Sequence, residues 1–235
     1  MKKGTFFLIP ATLGEEGINV ISQEVKDIVQ QIDLFIVENE KSARRFLRSI
    51  GYKKEFSENS LVLMDKNYPD KTDRRVFDYL LNGNDVGLIS EAGLPCIADP
   101  GNFWVREAHL LNIKVKPLTG PSSIILALIA SGFNGQQFRF NGCLPIKSSE
   151  RIIALKKMEE VSASKNETQI FIETPYRNNA MMDDIIKSCS SKTLLCIACE
   201  LTLQAEFIKT LSIADWKKNK PDLHHKPTVF LIYSK

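Results

Sequence analysis

The run Asp85-Val86-Gly87-Leu88-Ile89-Ser90 leads directly into Glu91-Ala92-Gly93-Leu94-Pro95-Cys96-Ile97-Ala98-Asp99-Pro100-Gly101. The first piece is short and apolar and reads as a buried strand. From Ser90 onward the chain holds two glycines, two prolines and two acids in twelve residues, and it reads as a loop. Open α/β sheets place ligand sites just past the carboxyl ends of their strands. Glycine lets a backbone approach a ligand closely. Proline stiffens the turn, so a site built there is preformed. An acid accepts hydrogen bonds from hydroxyls or amines. A second reading is a stiff turn in which Asp99-Pro100 begins the next helix. Composition alone does not separate the ligand cradle from the stiff turn.

Outward from this loop, strand and helix signals alternate. On the N-terminal side lie a strand at 5–9 ended by Pro10 and a helix at 22–32 capped by Ser22. Val25, Ile28, Val29 and Ile32 give that helix its apolar stripe. A strand at 34–37 and a helix at 41–50 follow, the helix with Ala43, Phe46, Leu47 and Ile50 on one face and Gly51 as its stop. Next come a short strand within 59–64, a polar loop at 66–74 and a helix at 75–81. Past the loop lie a helix at 102–111 and a strand at 113–118. This β–α alternation predicts a mostly parallel sheet covered by helices.

Gly120-Pro121-Ser122-Ser123 then opens an apolar helix that runs through Ala130 and stops at Gly132. The change of domain is placed here, giving an N-terminal α/β domain over 1–118 and a C-terminal α/β domain over 119–235. The second domain reads as a strand at 138–141, a basic helix at 150–160, a polar loop at 162–167, a strand at 168–173 and a helix at 177–187. Strands at 193–200, 206–210 and 228–233 complete it. Several connections are short, which calls for antiparallel pairs and a mixed sheet.

Composition narrows the function classes. The chain has 235 residues, 43% hydrophobic and 25% charged, with a formal net charge of +3. This balance permits an RNA partner without requiring one. No run of 18 apolar residues occurs, so no membrane span is expected. The segment Met1-Lys2-Lys3-Gly4-Thr5-Phe6-Phe7-Leu8-Ile9-Pro10 reads as a buried first strand rather than a secretory leader. Five cysteines, an odd count scattered through apolar segments, suit reduced thiols and a cytoplasmic protein. Cys196 and Cys199 have metal or redox spacing but lie on a strand, where residues three apart face opposite sides. No metal is expected. Three histidines leave little room for a histidine-based mechanism. Neither a GxGxxG nor a Walker loop is present, which sets aside the usual nicotinamide and ATP sites and the glycine-loop methyltransferases.

The residues carry a further pattern. Ser90 to Gly101 resembles the Ser-Asp-Ala-Gly-Thr-Pro…Ser-Asp-Pro-Gly signature of the small-subunit rRNA 2′-O-methyltransferase I family, within the tetrapyrrole-methylase-like S-adenosylmethionine enzymes. Further matches follow in register: Gly120-Pro121-Ser122, Ala130-Ser131-Gly132, Phe140-Asn141-Gly142-Cys143-Leu144-Pro145, Lys147 with Arg151, Glu173-Thr174-Pro175-Tyr176-Arg177 (Glu-Ser-Pro-His-Arg in the family), and Glu200-Leu201-Thr202. The sequence departs at Leu8-Ile9-Pro10-Ala11-Thr12-Leu13, where only the proline is kept. It departs at Glu38-Asn39-Glu40-Lys41, where the family has Glu-Asp-Thr-Arg, and at Glu91, where the family has aspartate.

The resemblance implies two α/β domains with S-adenosylmethionine in the cleft between them, and a homodimer. It implies that Pro10, Glu91, Ala92, Gly93, Pro95, Ile97, Ala98, Ser122, Ser123, Glu173, Leu201, Pro227 and Thr228 line the cofactor. The implied partner is ribosomal RNA or the small ribosomal subunit, the acceptor a ribose 2′-hydroxyl. Such an acceptor gains from a general base, and Glu38, Glu91 and Glu173 are the carboxylates at strand ends. Each also admits a structural or cofactor-ribose role. Arg177 reads either as a phosphate contact or as a partner of Glu173 or Glu200. Lys147, Arg151, Lys156 and Lys157 read as a basic surface, solvated or RNA-binding, as do Arg44, Arg45 and Arg48. A tetrapyrrole-like acceptor and a non-catalytic S-adenosylmethionine-dependent RNA-binding protein are the alternative readings.

Overall fold

Thr5–Ile9 (β1), Leu34–Val37 (β2), Leu61–Leu63 (β3), Val86–Ile89 (β4) and Lys114–Pro117 (β5) form one sheet in the order β3-β2-β4-β1-β5. Every pairing in it is parallel. This is the fold of the computed structural model, which describes residues 2–64 and 72–234. The apolar run of β4 is fully buried because helices cover both sheet faces. On one face Val25, Val29, Ile32, Phe35 and Leu47 pack together; on the other Phe6, Val76, Leu80, Leu88 and Trp104 do.

The helices follow their sequence signals, with ends set by local bonds. Gln23–Val29 (α1) is capped by Ser22, whose Oγ accepts from the Val25 N–H at 3.3 Å. It stops short of the expected Ile32 because the Gln31 and Ile32 N–H groups turn to Ile28 and Val29, a tightening of the last turn. Ile32 is still fully buried. Glu40–Ser49 (α2), Arg74–Leu81 (α3) and Asn102–Leu110 (α4) complete the unit. Of the polar loop expected at 66–74, residues 66–71 lie outside the described residues, and Arg74 already belongs to α3.

The chain divides into two compact units, Met1–Ser122 and Ser123–Lys235. The sequence signal at Gly120 to Ser123 sits at this division, slightly after the boundary placed at 118.

In the second unit, Phe138–Cys143 (β6), Thr168–Ile172 (β7), Leu194–Cys199 (β8), Phe207–Ser212 (β9) and Thr228–Tyr233 (β10) make a mixed sheet in the order β6-β7-β10-β8-β9. Only β6 with β7 is parallel, and a bulge separates Phe140 from Cys143. The β10 pairings with β7 and β8, and β8 with β9, are antiparallel. The helices are Ser123–Ser131 (α5), Ser148–Lys165 (α6), Asn178–Ser188 (α7) and Ile213–Lys218 (α8).

One expectation needs correction here. The polar segment 162–167 is not a loop, since α6 runs through to Lys165 and ends on Asn166 in the left-handed conformation. Ser162 is fully buried, and its Oγ accepts from the Ser234 N–H at 2.9 Å, a role that polar composition conceals. The helix α8 is not among the expected elements. Its signal is local: the Ser212 Oγ accepts from the Asp215 N–H, and buried Trp216 donates to the Leu195 carbonyl at 2.9 Å.

Candidate functional site

The carboxyl ends of β1, β4 and β5 meet at one edge of the parallel sheet, and short contacts pin the loops that leave them. Ala11 and Gly93 exchange two backbone hydrogen bonds, Ala11 N–H to Gly93 O at 2.9 Å and the reverse at 3.2 Å. The Ser90 hydroxyl donates to the same Gly93 carbonyl at 2.7 Å. Gly93 sits at φ +71°, where a side chain is disfavoured. Gly120 lies against Pro10: a methyl group there would come within 2.2 Å of the proline Cβ. Gly120→Ala is therefore expected to cost about 1–3 kcal/mol by overpacking. A urea midpoint equal to that of the parent would refute the close approach.

Beyond Gly93 the loop holds two non-glycine residues in the left-handed region, Cys96 at φ 67° and Ala98 at φ 64°. Such backbone persists only where its surroundings over-determine it, and it concentrates at ligand sites. Pro95 is buried, while Ala92, Ile97 and Ala98 are exposed. The ligand-cradle reading of the loop has this strain in its favour. A stiff turn needs only the prolines.

Two carboxylates of the loop, Glu91 and Asp99, stand near a third, Glu38 after β2. The Glu91 N–H approaches the Glu38 carboxylate at 3.4 Å, and the Ser42 hydroxyl donates to Glu91 at 2.9 Å. Asn39, where the family has aspartate, caps α2 by accepting from the Lys41 and Ser42 N–H groups at 2.9 and 3.1 Å. Asparagine serves that cap as well as aspartate does, so this departure leaves the helix start intact. A cavity of about 330 Å³ opens here, lined among others by Thr12, Leu13, Ser42, Arg45, Glu91 and Ala92.

Burial, then the charges of Glu38 and Glu91, push the Asp99 carboxyl up to about 7. Asp99 is not among the candidate bases expected from sequence, because its burial and the approach of Glu38 from the end of β2 arise only on folding. The raised value means that the folded state holds the proton more tightly than the unfolded chain. The stabilisation from this group is thus complete below the ordinary aspartate range and is lost as pH rises to about 7. Asp99→Asn should flatten that loss and leave the variant more stable than the parent at pH 8, by on the order of 1–2 kcal/mol after solvent screening. Parallel melting-temperature curves for the two proteins between pH 4 and 8 would contradict it.

The second unit gathers the other predicted residues on one edge of its own sheet. Val229 pairs with both Ile172 and Ala198, so Glu173, Glu200 and Pro227 come off adjacent strand ends. The Glu200 N–H donates to the Pro227 carbonyl at 2.9 Å, and Glu200 and Thr202 are left-handed at φ 52° and 68°. Leu201 and Thr228 are buried there. The side chain of Glu173 is fully enclosed. Its Oε1 accepts from the Thr174 N–H at 2.6 Å, the Thr174 hydroxyl at 2.9 Å and the Arg177 guanidinium at 2.7 Å. Burial pushes the Glu173 carboxyl up, but Arg177 and Thr174 outweigh it and hold it below the ordinary range. Glu173 Oε2, Arg177 Nε and Thr202 Oγ1 are buried without a hydrogen-bond partner.

The basic surfaces separate on inspection. Lys147 is exposed and faces Glu150 at 3.5 Å, and Lys156 and Lys157 are exposed on α6. Arg151 departs from that expectation: it is buried, donates through Nε to Asp184 at 2.7 Å and through Nη1 to the Ile146 carbonyl at 3.1 Å. It is a structural ion pair because its position on α6 faces α7. Arg44 and Arg48 lie over the Phe56 ring, each 4.7 Å from its centroid, and Arg45 pairs with Glu15 at 2.7 Å. Cys196 and Cys199 are buried free thiols. Among the described residues, no group of three or more His, Cys, Asp or Glu is placed to hold a metal ion, and no helix is long and apolar enough to cross a membrane.

A family model described as Tetrapyrrole (Corrin/Porphyrin) Methylases matches residues 13–216. The chain belongs to that family. Among its relatives, the ribosomal RNA small subunit methyltransferase I of Buchnera aphidicola subsp. Schizaphis graminum is 31% identical over 234 residues, covering 98% of this chain and 78% of that protein. The protein of the same name from Vibrio cholerae is 32% identical over 209 residues, 89% of this chain and 69% of that one. Among solved structures, the crystal structure of the methyltransferase CobJ superposes with a TM-score of 0.63 at 16% identity, covering 98% of this chain and 94% of that one. That likeness supports the two-domain α/β fold. The relatives support the resemblance read from the motifs, which the fold alone does not reach.

Proposed function

We propose that this protein is an S-adenosylmethionine-dependent methyltransferase acting on a ribose 2′-hydroxyl of small-subunit ribosomal RNA. The observation that carries the cofactor reading is the loop over residues 90–101, pinned to the first strand and holding Cys96 and Ala98 in strained backbone. The ribosomal RNA substrate is supported by the two relatives named above, and the ribose 2′-hydroxyl by the resemblance of the motifs.

The residues present fit the cofactor. Exposed Ala92, Ile97 and Ala98 offer an apolar surface of the kind an adenine ring needs, and Glu38 and Glu91 offer acceptors for ribose hydroxyls. The resemblance adds Glu173, Leu201, Pro227 and Thr228, which lie at strand ends of the second unit's own sheet. When bound, the cofactor would supply a methyl group on a sulfonium, an already activated leaving group. The chain's own task is then alignment and exclusion of water. Among the candidate bases, Asp99 joins Glu38 and Glu91, and its position near 7 suits proton removal at neutral pH; Glu173, enclosed and paired with Arg177, serves the structural role instead. Ser122 and Ser123 at the start of α5, with Pro10, complete the proposed cofactor contacts. A cytoplasmic homodimer belongs to the same reading.

The test is methyl transfer from labelled S-adenosylmethionine to small ribosomal subunits lacking their ribose methylations, followed by mapping of the modified nucleotide. A 2′-O-methylated ribose is the expected product. Transfer to a porphyrin-type acceptor instead would overturn the RNA assignment. Cofactor binding with no transfer to any RNA would leave a non-catalytic binding protein.

A further inference from the structure

Next to Glu173 the sheet edge presents an aromatic and basic surface that the cofactor reading does not use. Tyr176 is 55% exposed, more than Phe207 (37%) at the start of β9 on the same edge. It is not loose. Arg177 donates to the Tyr176 hydroxyl at 2.8 Å and holds its guanidinium carbon 4.9 Å from the ring centroid. Arg177 is in turn fixed by the buried Glu173 at 2.7 Å.

The turn before β10 lies against the same place. The His225 N–H donates to the Pro175 carbonyl at 3.1 Å, and the Asn178 amide donates to the Lys226 carbonyl at 2.6 Å. His225 is held at φ 58°, strained for a non-glycine residue. His224 and His225 are both exposed, with ring centroids 4.1 Å apart.

We propose that this surface, centred on Tyr176, binds an unpaired nucleobase of the RNA substrate by stacking. The inference rests on the RNA reading above. An exposed ring locked by a guanidinium loses little freedom on binding, so stacking on it is preorganised. Tyrosine and histidine rings and arginine planes are the side chains on which splayed-out bases stack. Lys226 supplies a cation for the adjoining phosphate. A paired base has both faces covered by its neighbours, so the surface selects single-stranded over duplex RNA.

The experiment uses the full chain with saturating S-adenosylmethionine and a short fluorescein-labelled single-stranded RNA, free or annealed to its complement. Tyr176→Ala should weaken single-strand binding about tenfold or more. Tyr176→Phe should stay within about twofold of the parent, since the ring is kept. Cofactor affinity and melting temperature should stay unchanged in both. Equal RNA binding by parent and Tyr176→Ala overturns the proposal, as does a duplex bound as tightly as the single strand. A loss in Tyr176→Phe as large as in Tyr176→Ala also overturns it, since the hydroxyl bond and not the ring would then matter. The RNA reading itself fails differently: the parent would bind neither RNA form and would methylate no ribosomal subunit.

Discussion

Replacing Arg151 by methionine is expected to lower the unfolding free energy by about 3–5 kcal/mol. The reason is the carboxylate left behind. Asp184 has a side chain only 11% exposed, and it accepts from Arg151 and, at 2.8 Å, from the Ser148 hydroxyl. Removing the guanidinium leaves a buried charge with one neutral donor. The cost is desolvation without compensation, not merely a lost contact. Replacing both partners, with Arg151→Met and Asp184→Leu together, should recover most of the loss, because a well-packed apolar pair avoids the desolvation altogether. Urea denaturation of the two single variants and the double variant forms the cycle that reads the coupling. A single-variant loss below about 1 kcal/mol would show that the pair behaves as an exposed one. RNA binding by the folded Arg151→Met protein should be unaffected, in contrast to Lys147→Ala if the α6 face meets RNA.

Glu173→Gln is the second large effect, expected at about 2–3 kcal/mol at neutral pH, somewhat under the fully buried case because Arg177 is partly exposed. The amide either turns its NH2 toward the Thr174 and Arg177 donors or buries it where Oε2 already lacks a partner. The pH dependence has a definite sign. Because Glu173 is held below the ordinary range, its contribution is present above that range and is lost as pH falls through its folded value. The gap between parent and variant should therefore close in acid. A constant gap from pH 7 down to pH 3 would count against the ion pair as its source.

Much of this was legible in the residues. Apolar runs such as Val86 to Ile89 and caps such as Ser22 state their own structure, because strand burial and N-cap bonding are local. The antiparallel pairing of β8 with β9 followed from a short connection, which cannot make a parallel crossover. Boundaries were less legible. The segment 162–167 looked like a loop since composition does not show that Ser162 is buried beside the end of β10. The six residues of α8 give too short an apolar stripe to signal a helix, although the Ser212 cap is legible.

The sequence by itself determined the alternation of elements, the strand-edge position of the loop after Ile89 and, through motifs in register, the family. It also marked Glu38, Glu91 and Glu173 as candidates by their places at strand ends, and Arg177 through its motif. The tertiary structure alone decided which of the charges are spent on each other. Arg151 and Asp184 stand 33 residues apart in sequence and are joined only by the packing of α6 on α7. Asp99 reaches about 7 because folding buries it and brings Glu38 and Glu91 near it. A charge's partner and its loss of water are set by three-dimensional neighbours, and no local pattern encodes either.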